Sequence, residues 1–514
     1  MGTDSNFLLT YAQLSAALGV RIVSHASGGN GDSIINGGFS SVCVDSREAK
    51  PGSLFVALKG ASRDGHRYVE AAFRAGAVAA MTAGSSLADR DLDLEGVAAR
   101  AGAVLIVVEN TLRSLQDTAR VYLEQFPDLL KIALSGSSGK TTTKEIAAAM
   151  IGCERNVVYN SGNLNSETGL PLSVFQIRPE HQVGIFEMGM NRAGEIAELA
   201  RLFKPHIALI TNVGPAHIGI LGSISAILEE KKQIFCEFTG NETALIPEDD
   251  EYRDELARGV PGKIVFYGPA HLEELGKVRE LGLEGTELSW EGISVLFALP
   301  GRHNLKDALA AAAIAKAAGV SAVAIRRGLE SARPLFGRTE ILRGKIPGKG
   351  GGLTLIRDCY NANPDSTSRA IAFCDGLAWP GRKVYVAGSM LELGEASRAA
   401  HERMGRELAD SDADMVFLYG RETEAAAEVM AARPEGRKLP LFYTDDMNSL
   451  ASSLADYVRD GDMVLLKGSR GCALEQLTDV LIADAAGEPA ATAGEGYKAP
   501  LLSTAQPVLT GGCP

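Results

Sequence analysis

Residues 131–151, KIALSGSSGKTTTKEIAAAMI, carry the most chemically specific spacing in the chain. An apolar run ends at Ser135, then Gly136, Ser137, Ser138 and Gly139 form a tight loop, and Lys140 and Thr141 open a run of helical character. Two glycines let the backbone turn closely so that its N–H groups converge, and a helix N-terminus adds about half a positive charge at the same point. That arrangement suits a polyphosphate. In such a loop the Lys140 ammonium reaches β- and γ-phosphate oxygens, and the hydroxyl of Thr141 or Thr142 ligates Mg2+. The longer eight-residue phosphate-loop pattern is incomplete, because Leu134 stands where its first glycine would be. Two further residues have metal-binding chemistry. Glu187 closes the run VGIFEMG and His217 follows IALITNVGPAH. Both then fall at carboxyl ends of strands, where doubly wound sheets bind ligands. One carboxylate and one imidazole suit a Mg2+ that keeps waters and phosphate oxygens as its other ligands.

These side chains need a scaffold, and the apolar patterning predicts an α/β chain of three domains. Short β-rich runs from Ser41 to Val108, separated by helical stretches, predict a small N-terminal α/β domain. A helix over Asn110–Phe126, closed by Pro127, leads into the run IALS, so the first boundary is placed at 110. From Ile132, apolar runs alternate with helical ones through IALITN, which implies βαβ units and a central doubly wound parallel sheet of the P-loop type. A Gly- and Glu-rich stretch around 270–292 follows, then an Ala-rich helix from about Asn304 to Ala318, ended by Gly319. The runs LTLIRD, KVYVAG, DMVFLYG, PLFYT and DMVLLKG predict a C-terminal Rossmann-like α/β domain, although none is followed by a dinucleotide fingerprint. The expected division is 1–110, 111–330 and 331–485, with 486–514 read as a flexible tail rich in Ala, Gly, Thr and Pro.

Composition narrows the function classes. The 514 residues carry 51 Lys and Arg against 64 Asp and Glu, a formal net charge of −13, which argues against nucleic acid as a partner. Any anionic ligand must be held locally. The seven cysteines are scattered with no C-x-x-C pair, as expected of reduced thiols in the cytoplasm. The N-terminus has no basic or apolar export region, and the longest apolar runs fall well short of the roughly 18 residues that cross a bilayer, so no membrane insertion is expected.

Taken together, GSSGKTT (136–142), NLNSETGLP (163–171), FEMG (186–189), TNVGPAHIGILGS (211–223) and GRHN (301–304) resemble the central domain of the Mur ligases, the ATP-dependent amide-forming enzymes of peptidoglycan precursor synthesis. Four further segments, VDSREAKPGSLFVALKG with DGH (44–66), DCYNANPDS (358–366), GSMLELG (388–394) and KGSRG (467–471), are similar to the members that add D-alanyl-D-alanine to UDP-N-acetylmuramoyl-tripeptide. The similarity runs from about residue 10 to 480.

The resemblance implies roles residue by residue. Gly136, Ser137, Ser138, Gly139, Lys140, Thr141 and Thr142 would hold the ATP phosphates, and Glu187 and His217 would bind Mg2+, two ions being expected. Lys231, in ILEEKKQIF, matches the family lysine that carbon dioxide carbamylates, with the adjacent Lys232 as the other register. Asn304 matches an adenine-contacting asparagine, and Arg338 and Asp358 belong to the ATP side. Ser46, Arg47, Lys59, Asp64, His66 and Asn163 fall on the uridine-diphosphate substrate pocket. Tyr360, Asn361, Asn363, Lys467 and Arg470 face the dipeptide. A monomer is expected, with hinges near 110 and 325 that let the third domain close. Three positions depart from the usual residues: Ser166 and Ser389 replace an Asn and an Asp, and Arg357 replaces a first Asp before Asp358. The alternatives are a ligase of the same superfamily adding a different residue, which the Y-N-A-N-P segment disfavours, a P-loop switch that hydrolyses nucleotide, and a nucleotide-binding scaffold.

Overall fold

The protein is described by a computed structural model covering residues 7–24, 37–60, 63–89, 91–434 and 438–483. The expected tail at 486–514 lies outside the described residues. The chain divides into two compact units. The first holds residues up to Leu335 together with the short segments Asn363–Arg369 and Leu391–Ala400; the second holds Phe336–Ala362, Ala370–Met390 and the chain from His401. The expected α/β fold is present, with a parallel or mostly parallel sheet in each of the three expected regions.

In the first unit the runs SLFV, AAMTA and VLIVV become parallel strands Ser53–Val56, Ala79–Ala83 and Val104–Val108, flanked by Ser41–Cys43. A fifth strand, Arg21–Ser24, adds antiparallel to Val104–Val108, an element the sequence reading did not include. The central sheet has six parallel strands in the order Lys263–Tyr267, Thr243–Pro247, Ile207–Ile210, Leu130–Ser135, Val183–Glu187, Val157–Tyr159. The chain leaves Leu130–Ser135 toward one edge and later returns to its other side, so this strand stands where the winding reverses, the place where such sheets bind ligands. Register aligns the strand ends: Glu187 pairs opposite Leu134, and Ile210 opposite Ser135.

One face of this sheet is covered by the helices Lys140–Gly152 and Arg302–Ala317, the latter burying Ala308 and Ala310–Ala313. Short side chains bring helices close, and Gly328 on Ala322–Ser331 takes this to its limit: a Cβ there would lie 2.4 Å from Met150 Cγ. The Gly- and Glu-rich stretch contains a three-stranded antiparallel sheet, Leu275–Glu280, Thr286–Trp290 and Ile293–Phe297. It joins the core through Leu288, Trp290, Val295 and Phe297.

The second unit has its own six-stranded sheet, ordered Glu340–Lys345, Gly352–Asp358, Met463–Lys467, Lys383–Gly388, Met415–Tyr419, Leu441–Thr444, with only the first strand antiparallel. Asp358 and Lys467 are register partners at the carboxyl ends. Among the described residues the cysteines are free, and no helix is long and apolar enough to cross a membrane.

Candidate active site

The phosphate loop is built by close approach. Gly136 and Gly139 have φ of +153° and +80°, which side-chain-bearing residues rarely adopt. A Cβ on Gly136 would meet Thr211 Oγ1 at 1.8 Å, and one on Gly139 would meet Asp307 Oδ1 at 2.1 Å. The segment 211–214, after the next strand, braces the loop. Ser138 N–H donates to Asn212 Oδ1 (3.1 Å), Asn212 Nδ2 to Ser138 O (3.1 Å), and Thr211 Oγ1 to Ser138 O (2.6 Å). Ser137 N–H donates to Asn212 O, and its Oγ exchanges hydrogen bonds with the main chain of Gly214. Ser137 therefore shapes the loop with its side chain, and Ser138 Oγ accepts a further bond from Asn212 Nδ2 (3.0 Å). Lys140 Nζ donates to Gly136 O (2.8 Å), folded back over the loop it would share with phosphate.

Glu187 is 2% exposed and held on both oxygens: Thr141 Oγ1 donates to Oε2 (2.8 Å) and Asn165 Nδ2 to Oε1 (2.7 Å). Of the two threonines, Thr141 is thus the one turned to the carboxylate, while Thr142 is buried. His217 has φ +65°, and its buried Nδ1 has no hydrogen-bond partner among the described residues. Burial, followed by the charges of Lys140 and Lys231, pushes its pKa down to about 4, so the imidazole is neutral near pH 7. Lys231, 1% exposed on the helix Ile224–Lys232, is pushed well below the usual lysine range by burial and by Lys140, with Glu230 opposing. Lys232 is turned elsewhere, donating to Glu255 O (2.7 Å) and Arg258 O (2.6 Å), which separates the two registers left open by the sequence.

A divalent cation fits this donor set. The Glu187 carboxylate and the Thr141 hydroxyl are hard oxygen ligands suited to Mg2+, and the neutral imidazole, with an orphaned buried nitrogen, adds a borderline nitrogen donor. Among the described residues no group of three or more His, Cys, Asp or Glu is placed to hold a metal ion by itself.

Other expected residues occupy varied settings. Asn304 is buried and its Nδ2 donates to Pro300 O (2.8 Å), a lock on its helix entry. Asp307, one turn on, faces Gly139 and escaped the sequence reading; its signal was the three-residue spacing from Asn304. Ser46, Lys59 and His66 lie near the carboxyl ends of the N-terminal strands. Arg47 is exposed and paired with Asp45, whose carboxyl it holds down at about 2. Asp64 pairs across a β-bridge with Lys59 and caps the turn Gly65–Tyr68. His66 is buried with Nε2 accepting Ala83 N–H (2.9 Å), so Nδ1 carries the proton that meets Asp64 Oδ1 (2.6 Å). Both of its nitrogens serve the fold. Asn163 stands in the loop before Leu164.

In the second unit Lys467 Nζ donates to Asp358 Oδ2 (2.8 Å) and Asn361 O (3.1 Å), and the Arg338 guanidinium stacks 4.3 Å over the Tyr360 ring. Arg470 pairs with Glu475. In the short segment that belongs to the first unit, Asn363 Oδ1 accepts Ser366 N–H (2.9 Å) at the entry to helix Pro364–Asp375. The departures are absorbed locally: Arg357 forks onto Glu340 (2.8 and 2.9 Å), Ser389 donates to Glu422 (2.7 Å), and Ser166 accepts Gly169 N–H (3.3 Å).

Three family models match: "Mur ligase family, catalytic domain" over residues 39–122, "Mur ligase middle domain" over 134–315, and "Mur ligase, glutamate ligase domain" over 337–470. A relative from Treponema pallidum, named UDP-N-acetylmuramoyl-tripeptide–D-alanyl-D-alanine ligase, is 42% identical over 92% of this chain and 99% of its own length. The chain belongs to the Mur ligase family. A relative of the same name from Bacillus subtilis is 33% identical over 86% of the chain and 93% of its own length. Among solved structures, MurF from Acinetobacter baumannii superposes with a TM-score of 0.77 at 30% identity, covering 91% of this chain and 97% of that one. MurF from Thermotoga maritima in complex with ADP gives 0.69 at 29%, covering 86% and 96%. The Mur ligase middle-domain match contains Lys140, Glu187, His217, Lys231 and Asn304.

Proposed function

We propose that this Mur ligase joins D-alanyl-D-alanine to UDP-N-acetylmuramoyl-tripeptide with ATP as second substrate, giving the pentapeptide, ADP and phosphate in cytoplasmic peptidoglycan precursor synthesis. The supporting observation is similarity, at 42% identity over 99% of its length, to a ligase of that name, in a chain whose phosphate loop and Glu187 are hydrogen-bonded to each other. A carboxylate is a poor electrophile, so an oxygen of the tripeptide's terminal carboxylate attacks the γ-phosphorus and ADP departs. The dipeptide amine then attacks the acyl phosphate carbon, loses a proton, and the tetrahedral intermediate expels phosphate.

In this reading the loop N–H groups of 136–141 cradle the phosphates, and Lys140 exchanges Gly136 O for a phosphate oxygen. Thr141, Glu187 and His217 hold Mg2+, which when bound screens the charge gathering on the phosphoryl oxygens. Lys231 would support a second ion: burial lowers its pKa and so favours the neutral amine, the form that adds carbon dioxide to give a carbamate and a proton. The segment 1–110 takes the uridine-diphosphate substrate, 111–330 takes ATP, and 331–485 takes the dipeptide through Tyr360, Asn361, Lys467 and Arg470. The enzyme works as a monomer.

Phosphate release from ATP tests this directly. It is expected only when UDP-N-acetylmuramoyl-tripeptide and D-alanyl-D-alanine are both present. Turnover that ignores the dipeptide, or that requires a single amino acid and a shorter nucleotide peptide, overturns the reading.

A further inference from the structure

The hydrogen bonds around Glu187 converge on a residue that the Mur ligase reading leaves without a role. Asn160 follows directly after the edge strand Val157–Tyr159, whose ladder with Val183–Glu187 ends at the pair Tyr159–Ile185. Where the ladder stops, the Asn160 side chain continues it. Its Oδ1 accepts Glu187 N–H (2.9 Å), and its Nδ2 donates to Glu187 O (3.0 Å) and to Leu164 O (2.8 Å). The amide thus spends its acceptor and both donors on main chain, and it is 1% exposed. Its own carbonyl accepts from Lys144 Nζ, a fully buried ammonium on the helix that starts at Lys140.

Each of these bonds acts on the geometry of one carboxylate. The pair to Glu187 fixes the main chain that carries it. The bond to Leu164 fixes the loop whose next residue, Asn165, donates to Glu187 Oε1 (2.7 Å) and whose carbonyl also receives Gly189 N–H (2.7 Å). The bond from Lys144 ties the node to the phosphate-loop helix, from which Thr141 reaches Oε2. We infer that Asn160 is a positioning residue for the Glu187 carboxylate, setting its aim toward the divalent cation. The inference rests on the proposed Mg2+ role of Glu187. Loss of the amide would strand the buried N–H and C=O of Glu187 and leave Leu164 O with only the Ser173 hydroxyl (3.3 Å), loosening two supports of the carboxylate at once, because carrier strand and Asn165 loop are tied at the same point. The expected consequence is a metal defect rather than a nucleotide defect, since the loop N–H groups that meet phosphate are braced separately by Thr211 and Asn212.

Calorimetric titration of the full-length enzyme with ADP, with and without Mg2+, tests this, together with Mn2+ binding to the ADP complex followed by electron paramagnetic resonance. In Asn160→Ala the tightening of ADP by Mg2+, and the Mn2+ affinity, should fall about tenfold, the lower end for losing a group that orients a metal ligand. Metal-free ADP binding should stay within about twofold of wild type, because no loop contact is removed. If Asn160→Ala does not fold, Asn160→Ser, which keeps a polar group at the node, should show the same split with a smaller shift. An unchanged Mg2+ effect, or equal losses with and without metal, overturns the positioning role. A wild-type enzyme whose ADP affinity ignores Mg2+ overturns the metal reading of Glu187 itself, and this inference with it.

Discussion

Lys231 is an amine that folding keeps from being an ordinary cation. Its burial, with Lys140 nearby, favours the neutral form, and neutrality is the condition for carbamylation. If the carbamate is what the site uses, truncation removes an anionic group, and an added small carboxylate can restore it. Lys231→Ala is expected to lower turnover by about a hundredfold, the scale of deleting one electrostatic group from a transition state. Millimolar acetate or formate should recover part of it. Turnover equal to wild type discards the carbamate, and loss without any rescue assigns Lys231 to packing. Sequence favoured Lys231, three residues before Ile234, with Lys232 as the other register; what separates them in the fold is which side of the helix is walled in, and that depends on the carbonyls of Glu255 and Arg258, more than twenty residues away.

Elements set which residues reach the site, and local signals reported some of them better than others. The phosphate loop was legible because strand, glycines, lysine and helix are contiguous and each requires the next. The edge strand Arg21–Ser24 and the antiparallel strands within 275–297 were not, because runs of four to six residues such as RIVS and LGKVRE are too short to show a period and form strands only once a neighbour completes their ladders. The entry to strand Thr243–Pro247 shows how such a junction is held. Glu242 accepts N–H donors from Thr239 (2.7 Å), Gly240 (2.9 Å) and Asn241 (3.1 Å), and the Thr239 hydroxyl (3.0 Å). Burial would raise its carboxyl, but these donors outweigh it and hold the pKa down at about 2, against an ordinary 4.5. A carboxyl depressed on folding stabilises above its unfolded pKa and loses that contribution as pH falls through the folded one. Glu242→Gln should therefore destabilise by about 1 kcal/mol near neutrality, partial exposure screening the rest. The gap from wild type should close between pH 4.5 and pH 2 in denaturant titrations. A gap independent of pH would mean that shape, not charge, holds the turn.

At the scale of the molecule, the net charge of −13 is compatible with the proposed anionic substrates because each phosphate would be met by a few local donors rather than by a global field. The sequence placed a boundary at 110, where strand gives way to helix. The helix that follows, Thr111–Leu123, buries Leu115, Ala119 and Tyr122 in a cluster that is continuous from Leu54, Met81 and Ile106 of the N-terminal sheet to Ala133, Phe186 and Ile210 of the central one. Tyr122 Oη also donates to Ile177 O (2.6 Å), and Gln125 Nε2 to Leu8 O (3.1 Å), so the segment bonds in both directions. Continuity of this kind is invisible to local patterning, which reports an apolar stripe on the helix but not what lies on each side of it. It makes a prediction about cooperativity. Leu115→Ala removes a fully buried side chain and should cost about 2–5 kcal/mol. If the two sheets share one core, amide exchange should accelerate together in Val104–Val108 and Leu130–Ser135, and denaturant unfolding of the first unit should shift as a single step. Faster exchange confined to the N-terminal strands would show instead that the sheets open independently, and that the helix is a linker between two cores rather than a wall common to both.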